Sequence, residues 1–222
     1  MEHPLGRVVA LDGPAGSGKS TVAKAVAVRL GWRFVDTGAT YRAATLAVLR
    51  SGARLDDVAA VTAAVTAARI ELVTLPARAT VVLDGDDVGD QVRSPAVTAA
   101  VSAVSAVPAV RRHLLALQRE AMGRDGAVAE GRDIATVVAP DAAVKVYLDA
   151  RPDVRARRRA GETGAPDEQQ VAADLARRDG LDAQTNALAA SQGAVALDTS
   201  DLTLDQVVDA VTAMVRQAGL IR

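Results

Sequence analysis

The sequence predicts an α/β protein in which a parallel sheet is covered by helices on both faces. Short β-like runs alternate with Ala-rich stretches of helical spacing, the pattern of βα units. Most of these runs are apolar throughout rather than alternating, as strands covered on both faces must be. The stretch LDGPAGSGKST, Leu11 to Thr21, follows one such run and leads straight into VAKAVAVRL, which reads as strand, sharp turn and helix.

The β-like runs are RVVALD, RFVD, AVAEG, AVKVYLDA and AVALDTS. After the first, Val22, Val26 and Leu30 recur every four positions, as do Ala23 and Ala27, so one helix face is apolar. Tyr41, Thr45 and Val48 continue the pattern after RFVD. Arg69 to Arg93 breaks it: short strands joined by LPARA and DGDD turns leave no room for a helix, and an antiparallel hairpin insertion is expected. Two helices follow, Pro95–Val104 and Pro108–Arg124, each opened by a proline. Arg159 to Gln170 is polar and carries Gly161, Gly164 and Pro166, which predicts a mobile surface loop between helices.

Composition narrows the function classes. The 222 residues are 50% hydrophobic but only 2% aromatic, so the core is built from Ala, Val and Leu. A net charge of −1 gives no global attraction to nucleic acid or an anionic membrane. Absence of cysteine excludes disulfides and thiolate chemistry. The N-terminal MEHPLGR has no basic region followed by an apolar one, and the longest uncharged stretch, Ser94 to Val110, is shorter than the ~20 residues of a membrane span. A cytoplasmic protein is expected. Only three of its 26 basic residues are lysines, which singles out Lys19.

Gly13, Gly18, Lys19 and Ser20 fit G-x-x-x-x-G-K-[ST]. Glycines let successive backbone N–H groups converge on phosphate oxygens, and the helix that follows points its positive end at the same anion. This phosphate loop predicts ATP binding by Gly13, Pro14, Ala15, Gly16, Ser17, Gly18, Lys19, Ser20 and Thr21. Lys19 would bridge the β- and γ-phosphates, and the Ser20 hydroxyl would ligate Mg²⁺.

Transfer to a phosphorylated acceptor needs a second anion site and arginines around the moving group. In DTGATYR, Asp36 closes a strand near the metal, reaching it through water, Thr37 or Thr40 lies near a helix cap, and Arg42 is within reach of a phosphate. In EGRDIATVV, Gly131 allows a tight turn that would project Arg132 and Asp133 at the same sheet edge. In RPDVRARRRAGETG, Arg155, Arg158 and Arg159 share one helical face, and a loop closing over a triphosphate needs such cations. Downstream, Arg178 and Asp182 lie one helical turn apart.

Together DGPAGSGKST, DTGATYR, GDQVRSPAVTAAVSAVSAVPAVR, EGRDIATVVAPDAAVKVYLDA, RARRR, RRDGLD and AVALDTSDLT resemble the bacterial cytidylate kinases with an enlarged acceptor domain, over residues 6 to 216. The resemblance implies a three-layer P-loop fold on a five-stranded parallel sheet, with a small antiparallel acceptor-domain insertion and a lid. It implies Mg²⁺-dependent transfer from ATP to CMP or dCMP in pyrimidine nucleotide metabolism, by a monomer needing neither nucleic acid nor membrane. Approximate boundaries are 6–36, 126–154 and 172–217 for the core, 37–125 for the acceptor region with its 69–93 hairpin, and 155–171 for the lid. Thr37, Tyr41 and Arg42 are then expected to hold the acceptor, and Ser102, Arg111 and Asp133 to read cytosine. Arg132 is expected near the acceptor phosphate, Arg178 and Asp182 near the ribose, and Lys19, Arg132, Arg158 and Arg159 to act in catalysis.

Three features depart from the family pattern: the usual arginine is replaced by Thr185 or deleted, Ala135 stands where a glycine follows GRDI, and the lid with its neighbourhood is shortened. Two alternatives therefore stand beside the kinase reading: a weakened CMP/ATP-binding sensor, and a small P-loop kinase acting on UMP, AMP or shikimate.

Overall fold

In chain order the strands are β1 (Val8–Asp12), β2 (Arg33–Asp36), β3 (Ile70–Thr74), β4 (Ala79–Leu83), β5 (Asp86–Asp87), β6 (Ala127–Gly131), β7 (Val144–Asp149) and β8 (Val195–Asp198). The helices are α1 (Lys19–Leu30), α2 (Thr37–Ser51), α3 (Val58–Ala67), α4 (Pro95–Ser105), α5 (Pro108–Met122), α6 (Pro152–Thr163), α7 (Glu168–Thr185) and α8 (Leu204–Gln217). The computed structural model describes residues 7–77, 79–163, 167–185 and 193–222; the side chains of 162, 163, 178 and 181–185 lie outside the described residues.

β1 is buried at every position because it runs through the centre of a five-stranded sheet of order β2-β6-β1-β7-β8, with every pairing parallel. Its side chains divide between the faces with the period of two of a strand. Val9 and Leu11 pack on Val22 and Val26 of α1 and on Val207 and Val211 of α8. Val8 and Ala10 face the opposite layer, against Met122 of α5, Ile134 and Val138. Three layers result, as the sequence predicts.

The insertion is a separate antiparallel sheet, β3-β4-β5, and its β4-to-β5 turn runs through Asp84 and Gly85. Both have positive φ, 54° and 96°, the conformation a two-residue hairpin turn needs to match strand twist. This sheet shares its own core with α2 to α5, centred on Val48, Val61, Val81, Leu83, Val104 and Leu114.

One local expectation changes. Arg159–Gln170 does not begin as a loop: α6 runs on to Thr163, carried by Ala156 and Ala160 on its buried face, and α7 starts at Glu168. Residues 164–166, with Gly164 and Pro166, lie outside the described residues. The cap of α2 is Asp36 itself, whose Oδ1 accepts from the Ala39 amide at 2.9 Å, leaving Thr37 free for another contact.

Trp32 closes the opposite end of the core, ahead of β2. It is 5% exposed, carries the Arg7 guanidinium 5.1 Å from its ring centroid, and lies flat on Gly126. A Cβ on Gly126 would meet the indole at 2.6 Å, so only glycine fits there. Among the described residues, no single helix is long and apolar enough to cross a membrane.

Candidate active site

β1 and β6 are neighbours in register, Asp12 opposite Gly131, so the loops leaving their carboxyl ends lie side by side. In an open parallel sheet that edge is where ligands bind. Asp12, itself buried, joins the two loops: its Oδ1 accepts from the Ile134 amide and its Oδ2 from the Ala135 amide, each at 2.8 Å. Burial pushes the Asp12 carboxyl up, against the lowering effect of those amides. Ala135 fits the π turn Ile134–Val138 without strain, because Asp84 is the sole non-glycine residue with positive φ among those described.

The loop after β1 turns on Gly13, Gly16 and Gly18, with φ of 149°, 76° and 88°. A Cβ on Gly13 would meet the Leu148 carbonyl oxygen at 2.0 Å, so the loop lies directly on β7. Gly18 caps α1 in a left-handed conformation without a side-chain hydrogen bond, which leaves the helix amides facing the cleft. Lys19 is buried and its Nζ donates to the Pro14 carbonyl at 2.8 Å. Burial first, and then the Arg132 guanidinium, push Lys19 down to about 8.

The Ser20 hydroxyl donates to Glu130 Oε1 at 2.6 Å. Glu130 is the last acidic side chain of β6 and is buried; burial, then Asp36, push it up to about 7. Thr37, released from capping, donates through Oγ1 to the Glu130 carbonyl at 2.8 Å and so ties the start of α2 to β6.

Arginines surround the loop. Arg132 donates to the Gly13 carbonyl at 3.2 Å, Arg155 to the Ala15 carbonyl at 3.1 Å, and Arg158 to the Ser17 carbonyl at 3.4 Å. Arg158 also donates to Oγ1 and to the carbonyl of Thr199, at 2.9 and 2.7 Å, so it buttresses the loop from behind. Arg159, the next residue, lines the cleft instead. Asp179 of α7 joins Arg155 at 2.5 Å and Arg132 at 3.6 Å. Two buried polar atoms here have no hydrogen-bond partner, Ser17 Oγ and Arg155 Nε. Orphaned donors beside converging amides and cations fit a polyphosphate anion.

The opposite wall of this cleft, about 220 Å³, is built by α2, α4, α5 and the turn after β6. Arg111 of α5 pairs with Asp133 and stands 5.7 Å from the centroid of the Tyr41 ring. Burial pushes Asp133 up and Arg111 opposes it, while burial also raises Tyr41. Ser102 lines the same wall. Arg42 lines it too, held by the Val92 carbonyl at 3.3 Å and Thr98 Oγ1 at 3.2 Å. The Asp36–Arg93 contact at 3.9 Å stands between this cleft and a wider one of about 980 Å³ between α1 and the antiparallel sheet.

Thus Lys19, Ser20, Thr21, Asp36, Thr37, Tyr41, Arg42, Ser102, Arg111, Arg132, Asp133 and Arg159 share one cleft. Gly13, Pro14 and Ser17 support it from within the loop, and Arg158 lies against the loop between the Ser17 carbonyl and Thr199. Arg178, Asp182 and Thr185 are helical, but their side chains lie outside the described residues. Three acids escape the sequence reading: Asp12, Glu130 and Asp179. For Asp12 and Glu130 a signal exists, an acidic residue at the carboxyl end of an apolar strand.

Mg²⁺ fits the donor set. Ser20 Oγ, Glu130 and Asp36 offer a hydroxyl and two carboxylates on one side of the cleft. No group of three or more His, Cys, Asp or Glu among the described residues could hold an ion alone. Such a partial set suits an ion that keeps waters and takes its remaining ligands from substrate phosphates.

Fold and cleft together define a P-loop protein with a second wall facing the loop across the cleft. The family model for cytidylate kinase matches residues 9–217, and the chain belongs to that family. It is 49% identical over 224 residues to a cytidylate kinase of Nocardia farcinica, covering 98% of this chain and 97% of the relative. It is 50% identical over 217 residues to one of Mycolicibacterium paratuberculosis, covering 95% of each. The crystal structure of TT1252 from Thermus thermophilus superposes with a TM-score of 0.51 at 19% identity, covering 100% of both chains, which supports the fold.

Proposed function

We propose that the protein transfers the γ-phosphate of ATP to CMP and dCMP, giving CDP or dCDP and ADP. The observation that carries this is the single cleft with the phosphate loop on one wall and the Arg111–Asp133 pair, Tyr41 and Ser102 on the other. Cytosine presents an exocyclic amine donor beside N3 and O2 acceptors, which a carboxylate, a guanidinium and a hydroxyl complement.

The amides of Gly16 to Ser20 and the Lys19 ammonium hold the donor phosphates. Arg42 and Arg132 hold the acceptor phosphate, and Arg178 with Asp182 the ribose. An acceptor phosphate oxygen bonds to the γ-phosphorus as the bond to the β,γ-bridging oxygen breaks, and ADP leaves with that electron pair. The acceptor phosphate is already anionic near neutral pH, so no general base is needed. Arg159 and Arg132 face the charge that spreads over the moving group, while Arg158 keeps the loop in shape from behind. Mg²⁺, held by Ser20 with Asp36 and Glu130 through water, would neutralise phosphate charge.

On this reading residues 6–36, 126–154 and 172–217 are the core and 37–125 the acceptor region. Residues 155–171 act as a lid that excludes water over the phosphates. The enzyme works as a cytoplasmic monomer on small nucleotides, without nucleic acid or membrane. The 44–50% identity to cytidylate kinases disfavours the sensor and the other acceptors.

The test is an ADP-release assay with MgATP and a panel of CMP, dCMP, UMP, AMP, GMP and shikimate. Preferential turnover of CMP and dCMP is expected. CMP binding without turnover of any acceptor would overturn the reading in favour of a sensor.

A further inference from the structure

Asp179 reaches the phosphate loop from α7. Its Oδ1 accepts from the Ala15 amide of the phosphate loop at 3.4 Å, and its Oδ2 lies 2.5 Å from Arg155 Nη1. Oδ1 is also 3.6 Å from Arg132 Nη1. A loop amide and two guanidinia converging on one oxygen pair is how a protein binds a phosphoryl group. The two partners lie 164 residues apart in sequence, so α7 brings a carboxylate to the loop from outside it.

We propose that Asp179 is an internal counter-ion of the phosphate loop, which the donor's phosphates displace, and which holds Arg132 and Arg155 in position until they do. This rests on the loop being the ATP site.

The charges around the loop explain why a counter-ion is needed. Lys19, Arg132, Arg155 and Arg158 crowd the loop, and Asp179 is among the groups that oppose the lowering of Lys19. All three members of the Asp179 cluster are shielded, with side-chain exposures of 17% for Asp179, 12% for Arg155 and 19% for Arg132. The same shielding makes the carboxylate incompatible with a bound polyphosphate, because like charges at contact repel strongly where water is excluded. One carboxylate also leaves the site incompletely satisfied. Arg155 Nε and Ser17 Oγ stay buried without partners, and a polyphosphate brings the extra acceptors they lack. Exchange of Asp179 for phosphate therefore hands over guanidinia already oriented, and it frees α7 from the loop as the donor binds.

A contact of this kind lowers apparent donor affinity by the fraction of molecules in which it is open, so a latch closed in nine-tenths of them weakens binding about tenfold. Isothermal titration of the full chain with MgATP, and separately with magnesium tripolyphosphate, tests this in wild type, Asp179→Asn and Asp179→Ser. Both variants are expected to bind both ligands about five- to tenfold more tightly, with a lower KM for ATP and no rise in kcat. Asp174→Asn removes a charge from α7 at its pair with Arg177 rather than at the loop, and should leave both affinities unchanged. Unchanged or weaker binding in both Asp179 variants would overturn the counter-ion and leave the ATP site standing. Equal tightening in Asp174→Asn would reduce the effect to net charge and overturn it too. A wild type that binds neither ligand would overturn the ATP site along with the inference.

Discussion

Glu130→Gln separates what the cleft demands from what the fold prefers. Glu130 is 6% exposed, and its Oε1 accepts from Ser20 at 2.6 Å, a bond the glutamine oxygen can still accept. What changes is the charge. Burial and Asp36 raise the carboxyl from 4.5 to about 7 in the folded protein. A carboxyl raised on folding stabilises the native state relative to its ionised form below pH 4.5, and that contribution is lost as pH climbs through about 7. Above that, the ionised carboxylate burdens the folded state by about 3 kcal/mol with the pull of Lys19 already included, while the variant must still bury a neutral amide at a cost of about 1–2 kcal/mol. The expected net gain for Glu130→Gln is about 1–2 kcal/mol at pH 8, shrinking below about 0.5 kcal/mol at pH 4.5. Urea unfolding followed by circular dichroism at the two pH values measures it. Turnover should move the other way, with kcat falling on the order of a hundredfold, because one of the two carboxylates proposed to face the metal loses its charge and only Asp36 remains. A variant less stable than wild type at pH 8 would refute the account of Glu130 as a burdened functional acid.

Lys19→Ala should lower kcat by about a thousandfold or more while circular dichroism stays unchanged, if the ammonium serves the phosphates as proposed rather than the core. Wild-type-like turnover would contradict the role given to it. Gly13→Ala should destabilise the protein by more than about 3 kcal/mol, read as a lower urea midpoint, because its Cβ would lie 2.0 Å from the Leu148 carbonyl oxygen at a φ of 149°. Arg111→Gln should raise KM for CMP about tenfold or more and leave KM for ATP within about twofold. Equal rises in both would place Arg111 in support of the whole cleft instead.

Strands buried on both faces carry continuous apolar runs, which is why β1 and β6 are legible in the chain. β7 alternates buried and half-buried positions, and the edge strand β8 is largely exposed in spite of its apolar run. The phosphate loop is legible because few physical situations demand glycines, a lysine and a serine in that order between a strand and a helix. The antiparallel insertion is legible from its Asp-Gly turn. Charged side chains whose role depends on distant partners are not. Glu130 meets Ser20 across 110 positions, Asp12 meets Ile134 across 122, and Asp179 meets Ala15 across 164. The strand-end position of Asp12 and Glu130 marks them as candidates but names no partner, and Asp179 carries no such local mark. Arg158 and Arg159 show a finer limit: neighbours on a helix diverge by about 100°, and only packing decides that one braces Thr199 while the other enters the cleft. At the end of α6, Gly161 and the polar residues around it suggest a break, whereas Ala156 and Ala160 are buried on one helical face and carry the helix on.

The single tryptophan gives the molecule a built-in optical probe with a defined view. Trp32 sits ahead of β2, at the amino end of the sheet, and the phosphate loop leaves β1 at the carboxyl end, so a strand of about five residues, roughly 17 Å, lies between dye and ligand. Its emission will report whether the strands are assembled and stay almost silent when nucleotide arrives. Occupancy must be read instead from the tyrosine on the acceptor wall, Tyr41, beneath Arg111. With two tyrosines in the chain, the other being Tyr147 on β7, a Tyr147→Phe background would isolate that signal. Folding and binding could then be followed in one cuvette at separate wavelengths.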